Sequence, residues 1–64
     1  MIFEIMEVQN LNSVRKTKII DRKNLTEAKR YATLYQFYQD TVLKIYDNNN
    51  NLLAYKKGKN WVNC

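Results

Sequence analysis

The sequence predicts an α+β fold of two layers, in which an antiparallel sheet of four to five strands carries one helix packed on one face. Three observations indicate this fold. Residues 24–37 combine a capping signal with apolar residues at helical spacing. Runs of β-branched and aromatic residues flank that segment on both sides. Asn-rich and Gly-containing stretches separate the runs, which favours short turns between antiparallel neighbours and the order ββαββ along the chain.

Two strands are predicted before the helix. The first spans residues 1 to 9 and places Phe3 and Ile5 on one face. Its alternation slips near Ile5 and Met6, which indicates a bulge at that point or partial cover of both faces. The second spans residues 14 to 21 and is strongly basic, a composition typical of an edge strand.

The helix is the clearest prediction. Asn24 is a favourable N-cap residue, and Glu27 follows three residues later, as in a capping box. The predicted helix ends near residues 37–38. One apolar stripe at three- and four-residue spacing faces the sheet, and it consists of Leu25, Ala28, Ala32 and Tyr35.

A hairpin is predicted after the helix, with strands at residues 41–46 and 52–56 and a turn at residues 47–51. Leu43 and Ile45 alternate with polar positions and therefore point toward the core. Gly58 is expected to supply a positive φ angle to a second turn. Trp61 and Val62 then form a short last strand.

Length and composition indicate a single domain over residues 1–64 with a thin margin of stability. The only cysteine is Cys64 and histidine is absent, so neither an internal disulfide nor a zinc site is expected. We also expect no cofactor. The sequence has neither a signal-peptide pattern nor an apolar stretch long enough to cross a bilayer, which favours a cytoplasmic protein without a membrane partner.

The sequence contains no recognisable catalytic constellation. Without histidine the commonest general base is missing, and Ser13, the only serine, lies in an Asn-rich turn. One glycine cannot form a phosphate-cradling loop. The protein is therefore expected not to be an enzyme, and binding functions come first.

The leading hypothesis is a non-enzymatic protein-interaction module that binds through Leu34, Phe37 and Tyr38. If the helix continues through Phe37, then Leu34 and Phe37 lie opposite the apolar stripe and are exposed, as at a partner site or dimer face. If the helix end bends back, Phe37 is buried. Both interpretations stay open, as does self-association. A further alternative is a small structural subunit of an assembly.

Nucleic-acid binding is the second hypothesis, because the net charge is +5 and a tryptophan lies beside several lysines. In the competing interpretation, the tryptophan caps the core and the lysines keep a turn in water. The candidate nucleic-acid-binding residues are Lys16, Lys18, Lys56, Lys57, Lys59 and Trp61.

The capped segment Leu25-Thr26-Glu27-Ala28-Lys29-Arg30 and the later run Thr41-Val42-Leu43-Lys44-Ile45-Tyr46-Asp47, with Leu52-Leu53-Ala54-Tyr55 and Trp61-Val62, resemble small uncharacterised proteins encoded by tailed phages. The resemblance implies a phage accessory or host-modulating protein that binds a host protein in the host cytoplasm. It implies no catalytic or binding residues.

Overall fold

The structure, a computed structural model, describes residues 1–10, 13–38 and 40–64, without the side chains of residues 10 and 13–16. Five strands and one helix form within these ranges. No helix in the described ranges has the length and apolar character that a bilayer-crossing segment needs. The elements are β1 (Ile2–Asn10), β2 (Ser13–Asp21), α1 (Leu25–Leu34), β3 (Val42–Asp47), β4 (Leu52–Lys57) and β5 (Asn60–Asn63).

The strands form one antiparallel sheet in the spatial order β2-β1-β3-β4-β5, and the chain order is ββαβββ. The predicted ββαββ order is therefore wrong. Gly58 has φ 75°, which lets the chain reverse after β4, and residues Asn60–Asn63 then pair with β4 as a full strand. Cys64 N–H extends this pairing by donating to Leu53 C=O at 3.0 Å. Residues Asn60–Asn63 thus form an edge strand of the sheet.

Strand β1 lies between β2 and β3, and its irregularity falls later than predicted. The register with β2 shifts between Glu7 and Val8 and again before Asn10. Of the two predicted alternatives, a bulge near Ile5 and Met6 is therefore wrong, whereas partial cover of both faces agrees with the half-buried Met6. Against β3 the register is unbroken from Phe3 to Val8. Phe3, Ile5 and Glu7 consequently follow one another on the same face of the sheet.

The helix packs on one face of the sheet, and the core lies between them. Its alanines Ala28 and Ala32 are buried, so the helix backbone approaches the strands closely. Leu43 and Ile45 are 1% and 0% exposed, which confirms that this side of β3 faces the core. The buried cluster consists of Phe3, Ile5, Ile20, Ala28, Ala32, Leu43 and Ile45.

The helix begins where the sequence indicates and ends earlier. Asn24 Oδ1 accepts a hydrogen bond from Glu27 N–H at 2.9 Å, so the predicted N-cap is confirmed. The helix stops at Leu34, and the bond from Tyr35 N–H to Tyr31 C=O at 3.0 Å belongs to its C-cap. The prediction that the helix runs to residues 37–38 is wrong, because the following N–H groups bond elsewhere.

Asp47 organises the turn between β3 and β4. Its Oδ1 accepts N–H bonds from Asn49 at 2.8 Å and from Asn51 at 2.9 Å, while Oδ2 accepts from the Asn51 side chain at 3.1 Å. Asn50 adopts the left-handed conformation with φ 67°, which asparagine tolerates better than most residues. The backbone N–H of Asn51, above all, holds the pKa of Asp47 below its ordinary value of 3.8.

This pKa shift gives the hairpin turn a pH dependence. A carboxylate with a lowered folded-state pKa stabilises the fold above its unfolded pKa of 3.8, and that contribution is lost as pH falls through the folded value. Asp47→Asn should therefore lower the melting temperature at pH 7, and its difference from the original protein should shrink toward pH 2. Thermal unfolding followed by circular dichroism measures this, with Asp40→Asn as the matched substitution at an exposed aspartate. A difference that stays constant with pH would contradict the assignment.

Candidate protein-interaction site

The chain leaves the helix through a short exposed stretch, residues 34–38, which we call the aromatic segment. Leu34 is 72% exposed, Phe37 52% and Tyr38 46%. The Phe37 and Tyr38 rings lie with their centroids 6.5 Å apart. Large apolar side chains concentrated in this way on a small protein indicate an interaction site. The structure therefore brings the three predicted partner-binding residues together at one end of the helix.

Neither sequence-based interpretation of Phe37 describes its position fully. The helix does not continue through Phe37, yet half of the side chain is still exposed. Phe37 is exposed because the chain turns away from the helix axis and stays at the surface. Beyond Leu34, the last residue of α1, the aromatic segment is thus non-helical, and its shape depends on what holds its backbone.

Glu7 holds that backbone from the neighbouring sheet. Its carboxylate accepts hydrogen bonds from Phe37 N–H at 2.9 Å and from Tyr38 N–H at 2.8 Å, one on each oxygen. The residue is only 3% exposed. Burying a carboxylate is costly unless donors surround it, and charge-assisted bonds to N–H groups are stronger than neutral ones. These bonds satisfy N–H groups that would otherwise continue the helix.

Thr41 completes this arrangement. Its hydroxyl lies 2.7 Å from Glu7 Oε2 and 3.1 Å from Tyr38 C=O, and it accepts a bond from the Gln36 side chain at 2.9 Å. A hydroxyl has one proton, so it donates to one of the two oxygens at a time, and the shorter contact to a carboxylate is the stronger. Glu7 and Thr41 together hold the backbone at Phe37 and Tyr38.

Lys18 contacts the aromatic rings of this region. Its ammonium nitrogen lies 4.4 Å from the centroid of the Phe37 ring and 5.6 Å from those of Tyr31 and Tyr35. Each cation–π contact of this kind contributes about 0.5–1 kcal/mol at a partly exposed site. The lysine thereby restrains the Phe37 ring, which is 52% exposed.

The residues predicted for nucleic-acid binding do not form one site. Lys18 lies on β2 and Trp61 on β5, the two opposite edges of the sheet, about 19 Å apart if strands are spaced by about 4.8 Å. Trp61 packs against the core and donates its indole N–H to Thr33 at 3.1 Å. The Lys16 side chain lies outside the described residues. Three of the predicted lysines precede Trp61 in the chain: Lys56 and Lys57 at the end of β4, and Lys59 in the following turn.

Charge on the described surface is predominantly basic. Several acidic groups serve local contacts: Asp21 pairs with the amino terminus at 3.1 Å and Glu27 with Arg30 at 3.5 Å, while Asp47 bonds its own turn. Among the described side chains, no lysine forms an ion pair within 4.0 Å. The net charge of +5 is therefore available to attract an anionic partner surface.

Glu7 and Thr41 are the functional candidates that the sequence-based reasoning missed. A signal for Glu7 is present, because it continues the alternation of Phe3 and Ile5 and is therefore an acid on the core face of a strand. Its partners lie thirty residues further along the chain and could not be inferred from spacing. Across the described ranges, no three His, Cys, Asp or Glu side chains lie close enough to hold a metal ion.

No protein-family model and no curated protein matches this sequence. A solved structure named AcrIF9 is similar to it over the whole chain. The TM-score is 0.88 and the sequence identity is 43%, and the match covers 100% of this chain and 86% of AcrIF9. Both the fold and the sequence are therefore shared along the full length described here.

This similarity defines the class first: the chain is a small α+β protein that combines a five-stranded antiparallel sheet with one helix. At this identity over its full length, it belongs to the AcrIF9 family. The match to AcrIF9 is consistent with the resemblance to small phage proteins stated from the sequence.

Proposed function

We propose that this protein is an anti-CRISPR protein that acts by binding the effector complex of a host CRISPR system. The name AcrIF9 denotes an anti-CRISPR protein for type I-F systems, and the full-length match at 43% identity carries the proposal. Members of one fold can differ in function, so identity over the whole chain is a stronger argument than fold alone.

The aromatic segment is the proposed contact surface. Aromatic residues dominate the binding energy of many protein interfaces, and Phe37 and Tyr38 are exposed side by side on a backbone fixed by hydrogen bonds. A fixed backbone loses little conformational entropy on binding. The basic surface supports approach to an acidic region of a partner by long-range attraction.

Binding to a purified type I-F effector complex tests the function directly. Complex immobilised on a sensor should bind the protein, and cells that produce the protein should lose CRISPR protection against a targeted phage. Phage that lacks the matching target sequence is the control, since its plaque numbers should not change. Failure to bind the complex and failure to restore plaques would together reject the proposed function.

Nuclease treatment separates the nucleic-acid hypothesis from the protein-interaction hypothesis. If the protein binds nucleic acid by itself through four to six phosphate contacts, log affinity for duplex DNA should fall against log salt concentration with a slope of about −4 to −5. Such binding would be visible with DNA alone and would disappear after nuclease treatment. Binding of the nuclease-treated complex that persists unchanged favours a protein partner.

A further inference from the structure

The buried carboxylate of Glu7 contributes to neither the apolar core nor an ion pair between described residues, although it is 3% exposed. It accepts hydrogen bonds from one short stretch of chain: Phe37 N–H, Tyr38 N–H and the Thr41 hydroxyl. Each of the first two bonds ends on a residue whose side chain is exposed. The buried charge is therefore directed at the segment that presents the candidate binding surface.

We infer that Glu7 is a positioning residue for partner recognition: its carboxylate fixes the backbone at Phe37 and Tyr38 and so sets the geometry in which their rings meet the partner. This inference rests on the proposed function and names how its surface is ordered. Lys18, 4.4 Å from the Phe37 ring centroid, restrains the ring as Glu7 restrains the backbone. The partner thus meets a surface that is already in its binding geometry.

A carboxylate is chemically suited to this position, and an amide is not. The two N–H donors bond separate oxygens, and a carboxylate supplies both acceptors. Glutamine at position 7 would supply one oxygen and would place its NH₂ group against the other N–H donor. Glu7→Gln keeps the size of the side chain but leaves one backbone donor without its acceptor, so the turn should loosen while the apolar core stays intact.

The experiment compares binding to the type I-F complex for the original protein, Glu7→Gln, the double variant Phe37→Ala/Tyr38→Ala, and all three substitutions together. Glu7→Gln should weaken binding about tenfold, which corresponds to the loss of one charge-assisted hydrogen bond. In the background without the two rings, the same substitution should have little further effect. Glu4→Gln on the same strand is the charge-matched control and should bind like the original protein.

Hydrogen exchange provides a readout that needs no partner. In Glu7→Gln the amides of Phe37 and Tyr38 should exchange faster, while amides in the β1–β3 ladder keep their protection. Thr41→Val, which removes one donor to Glu7, should give the same pattern with a smaller effect and serves if Glu7→Gln does not fold.

The outcomes separate the two proposals. If the original protein does not bind the complex, the proposed function fails and this inference fails with it. If the original protein binds but Glu7→Gln binds equally well, only the positioning role is overturned. It is also overturned if the substitution weakens binding equally with and without the two rings, because Glu7 would then act through the whole fold.

Discussion

Ile45→Ala is expected to unfold a large fraction of the protein at 25 °C. Ile45 is 0% exposed and lies on β3 at the centre of the sheet, within the buried cluster. Truncating a buried isoleucine costs about 2–5 kcal/mol, whereas a core of this size supplies about 3–5 kcal/mol of net stability. Urea unfolding monitored by circular dichroism measures the loss as a lower midpoint.

Ile19→Ala is the matched control for that experiment, because it makes the same substitution on a strand of the same sheet. Ile19 is 71% exposed and pairs with Glu4, on the face of the sheet away from the helix. Its replacement should change stability by no more than about 0.5 kcal/mol. Equal losses for the two variants would mean that the helix-covered face does not carry the core.

Phe37→Ala/Tyr38→Ala should weaken binding to the type I-F effector complex by about 30-fold or more, if the pair behaves as an interface hot spot worth at least about 2 kcal/mol. The fold should remain, since both side chains are about half exposed and neither belongs to the buried cluster. Binding kinetics should show the change mainly as faster dissociation. The number of plaques that a targeted phage forms on cells producing the variant should fall in parallel.

Ile19→Ala/Val62→Ala is the control for this surface. Both residues are exposed on the face of the sheet opposite the helix, because Ile19 pairs with Glu4 and Val62 pairs with Tyr55. This variant removes apolar surface of comparable exposure and should bind like the original protein. If it loses affinity while the aromatic variant does not, the open face of the sheet is the binding surface and the assignment to the aromatic segment is wrong.

The parts of the fold that could be predicted from the sequence depend on local patterns. Alternation places Leu43 and Ile45 in the core, and the preference of asparagine for N-cap positions locates the start of the helix at Asn24. The strand order could not be derived in this way. The last strand is only four residues long, and its pairing with β4 depends on a reversal at Gly58 that also suits an irregular tail.

The candidate site was predictable in its residues and not in its geometry. Exposure of Leu34 and Phe37 was one of two alternatives that the sequence left open, and the structure exposes both of them together with Tyr38. The end of the helix was missed because the acceptor of the next N–H groups, Glu7, comes from the first strand. Helix propensity considers neighbours within a few residues, whereas this bond joins distant parts of the chain. The role of Leu34, Phe37 and Tyr38 in binding a partner stays a prediction.

The position of β1 between β2 and β3 determines when the binding surface can form during folding. Strand β1 can pair with β2 through a short connection, but its pairing with β3 joins Val8 to Val42 and must close a long loop. Such non-local pairing is slow relative to helix or hairpin formation. Glu7 can hold the backbone at Phe37 and Tyr38 only once β1 and the chain beyond the helix have come together, so a nascent chain still lacking β3 would expose both rings without a defined arrangement. The ability to bind the partner should therefore appear together with the slow pairing of β1 with β3.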